Sequence, residues 1–259
     1  MSFCERCHKE REPGDFAQIG TLGVFCSWCR QNIQGIIDKY GEEGARTWIF
    51  EPRTDLIGLI EGEHKRVLDC GCWAGYTMQA LKEAGHEVYG LDIEDNRRVA
   101  KDCQFVRADL NEPHFRWSGS ALDYILFGDV LEHLADPMEA LEFAKRSLAL
   151  GGKVLISVPN AGWIGSVLEI ANQRFPRDES GHFDKTHLRF YTRETLKNTL
   201  LEAGYNNIRF YSKQLPETPE WPEGAQGKQL FAWDNVQIAC DRDLFDQLNT
   251  YQLLAVAWP

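Results

Sequence analysis

The stretch Val67-Leu68-Asp69-Cys70-Gly71-Cys72-Trp73-Ala74-Gly75-Tyr76 constrains the fold of this chain more than any other. Val67 and Leu68 are apolar and β-prone, and the charged Glu63, Lys65 and Arg66 lead into them. A carboxylate and a glycine close the strand, and Gly75 opens a helix through Tyr76-Thr77-Met78-Gln79-Ala80-Leu81. A glycine turn between strand and helix lets a ligand approach the backbone, because no Cβ stands in the way. The helix start then offers free N–H groups to a carboxylate or phosphate. Any doubly wound α/β sheet can own such a turn, so by itself it admits only a small, partly anionic cofactor.

Four further strands follow. Glu87–Asp92 ends in an acid about 20 residues past the glycines, the distance at which a carboxylate usually meets ribose hydroxyls. Phe105–Leu110 carries Asp109 near its end, and Asp123–Asp129 runs into Val130-Leu131-Glu132-His133-Leu134-Ala135-Asp136-Pro137. Lys153–Asn160 comes after Gly151-Gly152. Strands alternating with helices predict a parallel sheet with right-handed crossovers. Ligands of such sheets bind at the carboxyl ends of the strands, where Gly71, Asp92, Asp109 and Asp129 are expected to gather.

In this order the motifs resemble the seven-strand, class I S-adenosylmethionine-dependent methyltransferases. Within them the chain is similar to the subgroup with an LEHL-DP turn, a GG-hydrophobic-SVPN strand and a THLRFYT segment, over about residues 45 to 259. The resemblance implies a doubly wound, mostly parallel seven-stranded α/β sheet. It also implies cofactor contacts from Asp69, Gly71, Cys72, Trp73, Gly75, Asp92, Ile93, Asp109, Leu110 and Asp129. In that scheme Asp69 fixes the first loop, reaching the amino group of the methionine moiety through water. Asp92 takes the ribose hydroxyls, Asp109 accepts from the adenine amino group, and the Leu110 N–H meets the ring. The alternative for each acid is a helix cap or a turn. The family turn reads Asp-x-Gly-x-Gly-x-Gly, and Trp73 stands at its middle glycine. Its indole either packs against the methionine portion of the cofactor or fills neighbouring core.

The first residues have a chemistry of their own. Cys4, Cys7, Cys26 and Cys29 form two Cys-x-x-Cys pairs separated by 18 residues, the spacing of a zinc ribbon. Two-residue spacing turns both thiolates of a pair toward one ion, and two pairs complete a tetrahedron. Residues 1–31 are therefore read as a structural Zn2+ module, too small to hold a core without the ion. Residues 32–62 read as a helical cap: Ile33, Ile36, Ile37 and Tyr40 recur at helical spacing, and a second helix starts near Pro52. The methyltransferase domain takes up 63–259. Cys70, Cys72, Cys103 and Cys240 are scattered and read as small buried side chains.

A formal net charge of −11 argues against an electrostatic grip on nucleic acid or an anionic membrane. No apolar run approaches the roughly 20 residues that span a bilayer, and the start Met1-Ser2-Phe3-Cys4 is not a secretion signal. A reducing, cytoplasmic setting is the expectation.

Two insertions interrupt the alternation, near 161–191 and 215–249. The first is polar and aromatic, sits beyond the fifth strand and reads as a substrate lid. The second, rich in Pro and Trp, reads as a docking loop. Methyl transfer needs an acceptor aligned with the electrophilic methyl group, and an oxygen acceptor gains from a general base. His133 and His187 are the candidates, against helix-start packing for the first and lid anchoring for the second. Asp184, Arg189 and Tyr191 are the candidate substrate contacts. The leading function is O-methylation of a small molecule such as a sugar or a polysaccharide or natural-product intermediate. A macromolecule methyltransferase that docks RNA or protein through its zinc module is the alternative, and a non-catalytic cofactor-binding protein the third.

Overall fold

A computed structural model describes residues 51–259 except 113–114, 179–180, 216–217 and 234–235. Before residue 51 it describes the backbone of four short strands alone: β1 (Ser2–Phe3), β2 (Glu10–Arg11), β3 (Phe16–Ile19) and β4 (Gly23–Cys26). β1 pairs with β2 and β3 with β4, both antiparallel. The four thiols expected to hold zinc and the helix expected over 33–40 lie outside the described residues.

From residue 51 on, the chain builds one seven-stranded sheet. A short helix α1 (Thr54–Ile57) precedes β5 (Arg66–Cys70), which leads through the glycine turn into α2 (Tyr76–Glu83). Then come β6 (Glu87–Asp92), β7 (Gln104–Arg107), β8 (Leu122–Gly128), α3 (Pro137–Ser147), β9 (Leu148–Pro159) and α4 (Ile164–Ala171). The chain ends with α5 (Arg193–Glu202), β10 (Asn207–Lys213), β11 (Gln229–Trp233), β12 (Val236–Cys240), α6 (Arg242–Asn249) and β13 (Gln252–Trp258). The sheet order is β10-β13-β9-β8-β5-β6-β7. β5 to β9 pair in parallel, and β13 runs antiparallel between β9 and β10. The order reverses between β5 and β8, so the crevice for a ligand opens at their carboxyl ends.

Alternation splits the core between the two faces of the sheet. Leu68, Ile125, Phe127, Val154 and Ile156 pack with Leu141 and Leu196 on one side. Val67, Tyr124, Leu126 and Leu155 pack with Met78 and Leu81 on the other. Helix starts follow local capping rules. Asp136 accepts from the Met138 N–H at 2.9 Å with Pro137 at the first helical position, so the Asp-Pro of the LEHL-DP turn is the start signal of α3. Thr192 and Thr195 cap α5 reciprocally, and Gly204, at φ 83°, ends it.

The stretch 215–249 is more regular than its Pro and Trp content suggests. It holds the β11–β12 hairpin and α6. Trp221, Phe231 and Trp233 stack on Phe245 of α6, with ring centroids 5.3, 4.3 and 6.4 Å away, so these aromatics cover their own helix. No helix among the described residues is long and apolar enough to cross a membrane.

Candidate functional site

The loop after β5 holds a shape that side chains resist. Gly71 and Gly75 lie at φ 72° and 84°. A Cβ on Gly71 would sit 2.6 Å from Val130 Cγ2, and one on Gly75 would sit 2.8 Å from the Val99 carbonyl oxygen. Trp73, at φ 39°, keeps the left-handed bend where the family motif has glycine, at a cost of about 1–2 kcal/mol. The loop is tied to the end of β6. Gly71 and Cys72 N–H donate to the Leu91 carbonyl at 2.8 and 3.2 Å, and Trp73 N–H donates to Asp92 Oδ2 at 2.8 Å.

A cavity of about 260 Å³ opens beside this loop. Of the residues expected at the cofactor, Gly71, Asp92, Ile93, Asp109, Leu110 and Asp129 line it. Asp69, Cys72, Trp73 and Gly75 do not line it; they belong to the strand end and loop beside it. Ile93 is 57% exposed at the rim, and its N–H donates to Asp92 Oδ1 at 2.7 Å. Burial raises the Asp92 pKa, and the N–H groups of Trp73 and Ile93 pull it back down. Asp69 is buried beneath. Burial, and after it the nearness of Asp92, pushes its carboxyl up to about 7 against the opposing Arg53. Asp109 Oδ1 accepts from Asn111 N and Nδ2 at 2.8 and 3.0 Å, and Asn111 Oδ1 accepts from Ala135 N–H at 2.8 Å. The turn after β7 is thereby joined to the one before α3.

Asp129 is held from three sides at φ 57°. Arg53 Nη1 donates to its Oδ2 at 2.5 Å, Ser157 Oγ donates to its Oδ1 at 3.1 Å, and Gln252 Nε2 donates to Oδ1 as well. Burial alone would lower the Arg53 pKa; Asp129 and Asp55 more than reverse that. Sequence reasoning passed over Arg53, Gln252 and Asn111. Arg53 and Gln252 lie 76 and 123 residues from Asp129, and no local pattern marks such a partner.

The structure brings His133 and His187 together. Their ring centroids lie 4.8 Å apart, edge to face, and His133 also lines the cavity. The backbone carbonyl of Glu132 accepts from Leu188 and Arg189 N–H at 2.8 and 3.1 Å, pinning the 161–191 segment onto the turn after β8. The Glu132 side chain, 1% exposed, has no hydrogen-bond partner among the described residues on either carboxylate oxygen. Burial, and then Asp129, holds its pKa well above the usual carboxylate range. Burial, and then His133, lowers that of His187. Ligand atoms of Glu132, His133 and His187 all lie within 4.8 Å of one another.

Asp184, Arg189 and Tyr191 are placed differently, and none lines the cavity. Arg189 Nε donates to the Leu134 carbonyl at 3.3 Å and its Nη2 to that of Ala135, so its guanidinium clasps the turn. Asp184 Oδ1 accepts from Thr186 N and Oγ1 at 2.8 and 2.7 Å. Tyr191 is buried, its hydroxyl without a partner among the described residues and its pKa pushed by burial up to about 12.

The methyltransferase-domain family model matches residues 40–209. Ubiquinone biosynthesis O-methyltransferase of Hydrogenovibrio crunogenus is 28% identical over 175 residues, 63% of this chain and 67% of that protein. The protein of the same name from Pseudomonas fluorescens Pf0-1 is 27% identical over 121 residues, 44% of this chain and 49% of that protein. The chain thus spans between about half and two thirds of the length of these relatives. Among solved structures, a SAM-dependent methyltransferase from Archaeoglobus fulgidus aligns over 79% of this chain and 90% of its own, with TM-score 0.52 and 20% identity. An S-adenosylmethionine-dependent methyltransferase from Mesorhizobium loti covers 83% and 99%, with TM-score 0.52 and 17% identity, a likeness of fold. The glycine loop, the acids at the ends of successive strands and the five parallel strands β5 to β9 all fall within the span of the family model. The chain therefore belongs to the methyltransferase-domain family and is an S-adenosylmethionine-dependent methyltransferase.

Proposed function

We propose that this enzyme methylates a hydroxyl oxygen of a small molecule seated between the cofactor cavity and the 161–191 segment. The observation that carries the reading is one juxtaposition. A cavity walled by Asp92, Asp109 and Asp129 meets a corner where Glu132, His133 and His187 converge as acceptors. The relatives named as ubiquinone biosynthesis O-methyltransferases support both the oxygen and the small acceptor. Further along the 161–191 segment, Trp163, Phe183, Leu215 and Tyr251, with the polar Glu169, Asp178 and His182, wall a hollow of about 450 Å³.

The residues fit S-adenosylmethionine. Gly71 lines the cavity where the loop leaves β5, and the surrounding carboxylates suit a ligand that carries a sulfonium and an ammonium group. When bound, it supplies an electrophilic methyl group. Asp92 holds the loop through Trp73 and keeps acceptor positions for ribose hydroxyls, since a carboxylate offers about four. Asp109 and the Leu110 N–H would hold the adenine, with Ile93 against it. Asp129, and Asp69 buried beneath the loop, would serve the methionine end. The acceptor hydroxyl is deprotonated at the corner of His133 and His187. Arg189, Asp184 and Tyr191 shape the segment that covers it.

Labelled methyl transfer to a panel of phenols, catechols and sugars tests the reading. Tight binding of S-adenosylhomocysteine with no hydroxyl methylated would refute it. Asp92→Ala removes charge-assisted bonds and should weaken S-adenosylhomocysteine binding by about 2 kcal/mol or more, read by calorimetry. Unchanged affinity would leave Asp92 as a loop anchor alone.

Asp69 makes the cofactor step pH-dependent. Its folded pKa of about 7 is above the unfolded carboxylate range, so between pH of about 4 and 7 the free folded enzyme holds an extra proton. Stability therefore falls as pH rises through that window. A cationic ligand favours the ionised form, so affinity for S-adenosylmethionine should rise as pH climbs toward and through about 7. Asp69→Asn should flatten this profile in calorimetric titrations from pH of about 5.5 to 8.

The same proposal assigns residues 1–31 to a Zn2+ module, 32–62 to a cap and 63–259 to catalysis. Four thiolates in two pairs are a donor set that fits structural zinc. Metal analysis of the purified chain should find about one zinc, lost on Cys4→Ser or Cys29→Ser. A folded, zinc-free chain would refute the assignment.

A further inference from the structure

We infer that Glu132, His133 and His187 bind a divalent cation that holds and acidifies the acceptor oxygen. The inference rests on the hydroxyl reading above and gives the corner its chemistry.

Hydrogen bonds at the far nitrogens assign both histidine tautomers. His187 Nδ1 lies 3.2 Å from the His182 carbonyl, which can only accept, so Nδ1 carries the proton. His133 Nδ1 lies 3.1 Å from Thr186 Oγ1. The Thr186 hydroxyl spends its own proton on Asp184 Oδ1 at 2.7 Å, so here too Nδ1–H is the donor. Each imidazole therefore presents an Nε2 lone pair, fixed by the kind of outer hydrogen bond that orients metal-binding histidines.

Beside them stands the Glu132 carboxylate, 1% exposed, with neither oxygen hydrogen-bonded among the described residues. A buried carboxylate without a partner is costly, by several kcal/mol in typical proteins. Three acceptors within 4.8 Å of one another and no donor among them call for a positive centre. Two imidazoles and one carboxylate form a facial set that leaves coordination positions open, the donor type of Mn2+, Fe2+ or Zn2+. His133 and the neighbouring Asp129 border the cofactor cavity, so those open positions face the place of methyl transfer. A hydroxyl held there loses its proton to water more readily. The oxygen–methyl bond then forms as the sulfonium–methyl bond breaks, leaving a neutral thioether.

Mn2+ is the probe, because a thiolate set prefers softer ions. The full chain is dialysed against EDTA and titrated with Mn2+, the free ion being counted by electron paramagnetic resonance. One Mn2+ should bind per chain at the corner. Glu132→Gln, nearly isosteric, and His187→Ala should each weaken it at least about 10-fold, and Thr186→Ala, which touches no ion, by a smaller factor. No Mn2+ bound by the wild-type chain, or equal binding by folded Glu132→Gln, would overturn the site. S-adenosylhomocysteine binding and methyl transfer are measured on the same samples. Full methylation of a hydroxyl in EDTA, with no Mn2+ bound, would refute the inference alone. Mn2+ binding lost in the variants, with no hydroxyl methylated by the wild type, would support the site and refute the hydroxyl reading.

Discussion

His133→Ala and His187→Ala should each lower turnover by about 10²-fold or more, close to 3 kcal/mol of lost transition-state stabilisation. Affinity for S-adenosylhomocysteine should stay within roughly threefold of the parent, an effect below about 1 kcal/mol. The physical basis is the edge-to-face pair, 4.8 Å between centroids, set beside the cavity. Removing either ring takes away a lone pair at the point where the proposed function has the acceptor deprotonated. His187 is also a buried packing element whose Nδ1–H meets the His182 carbonyl, so its variant tests two roles. A structural role alone would show as a lower melting temperature with turnover intact below the melt. A functional role would show in turnover at the parent melting temperature. Single-turnover measurements at saturating cofactor separate these outcomes, and normal rates in both variants would remove the histidines from the chemistry.

Phe127→Ala should destabilise the fold by about 3–5 kcal/mol. Phe127 is fully buried on β8, the central strand between β5 and β9 that ends one residue before Asp129. The vacated volume faces Leu68, Ile125 and Leu141 in a close-packed layer that can collapse only partly. For a domain of this size the melting temperature should fall by roughly 6–20 °C. A thermal melt followed by circular dichroism reads it directly. A loss below about 1 kcal/mol would mean that the neighbours close the gap. The two experiments are complementary: one changes chemistry on an intact sheet, the other loosens the sheet beneath an intact site.

Much of this architecture was legible along the chain because it is local. The end of β5, the left-handed glycines at 71 and 75 and the Asp-Pro start of α3 follow from neighbours a few residues apart. So does the alternation that divides the core between the two faces, and with it the gathering of Asp92, Asp109 and Asp129 at one edge. The stretch 215–249 was harder to read. Its strand alternation, with Phe231 and Trp233 turned inward and Leu230 outward, is short and set among prolines, and its aromatics find Phe245 only after the hairpin folds onto α6.

The sequence by itself determined a methyltransferase sheet and where its cofactor edge lies, since strand ends and glycine turns are set by steric rules acting over a few residues. Only the tertiary structure decided which side chains complete the site. Arg53 reaches Asp129 across 76 residues, Thr186 reaches His133 across 53, and Arg189 folds away to clasp the carbonyls of Leu134 and Ala135. Glu132 reads in one dimension as the second residue of a helix-start motif. It becomes a buried carboxylate, unpartnered among the described residues, only when the 161–191 segment packs against it. Those pairings depend on chain paths that bring distant residues within hydrogen-bond range, and no periodicity in the sequence encodes that distance.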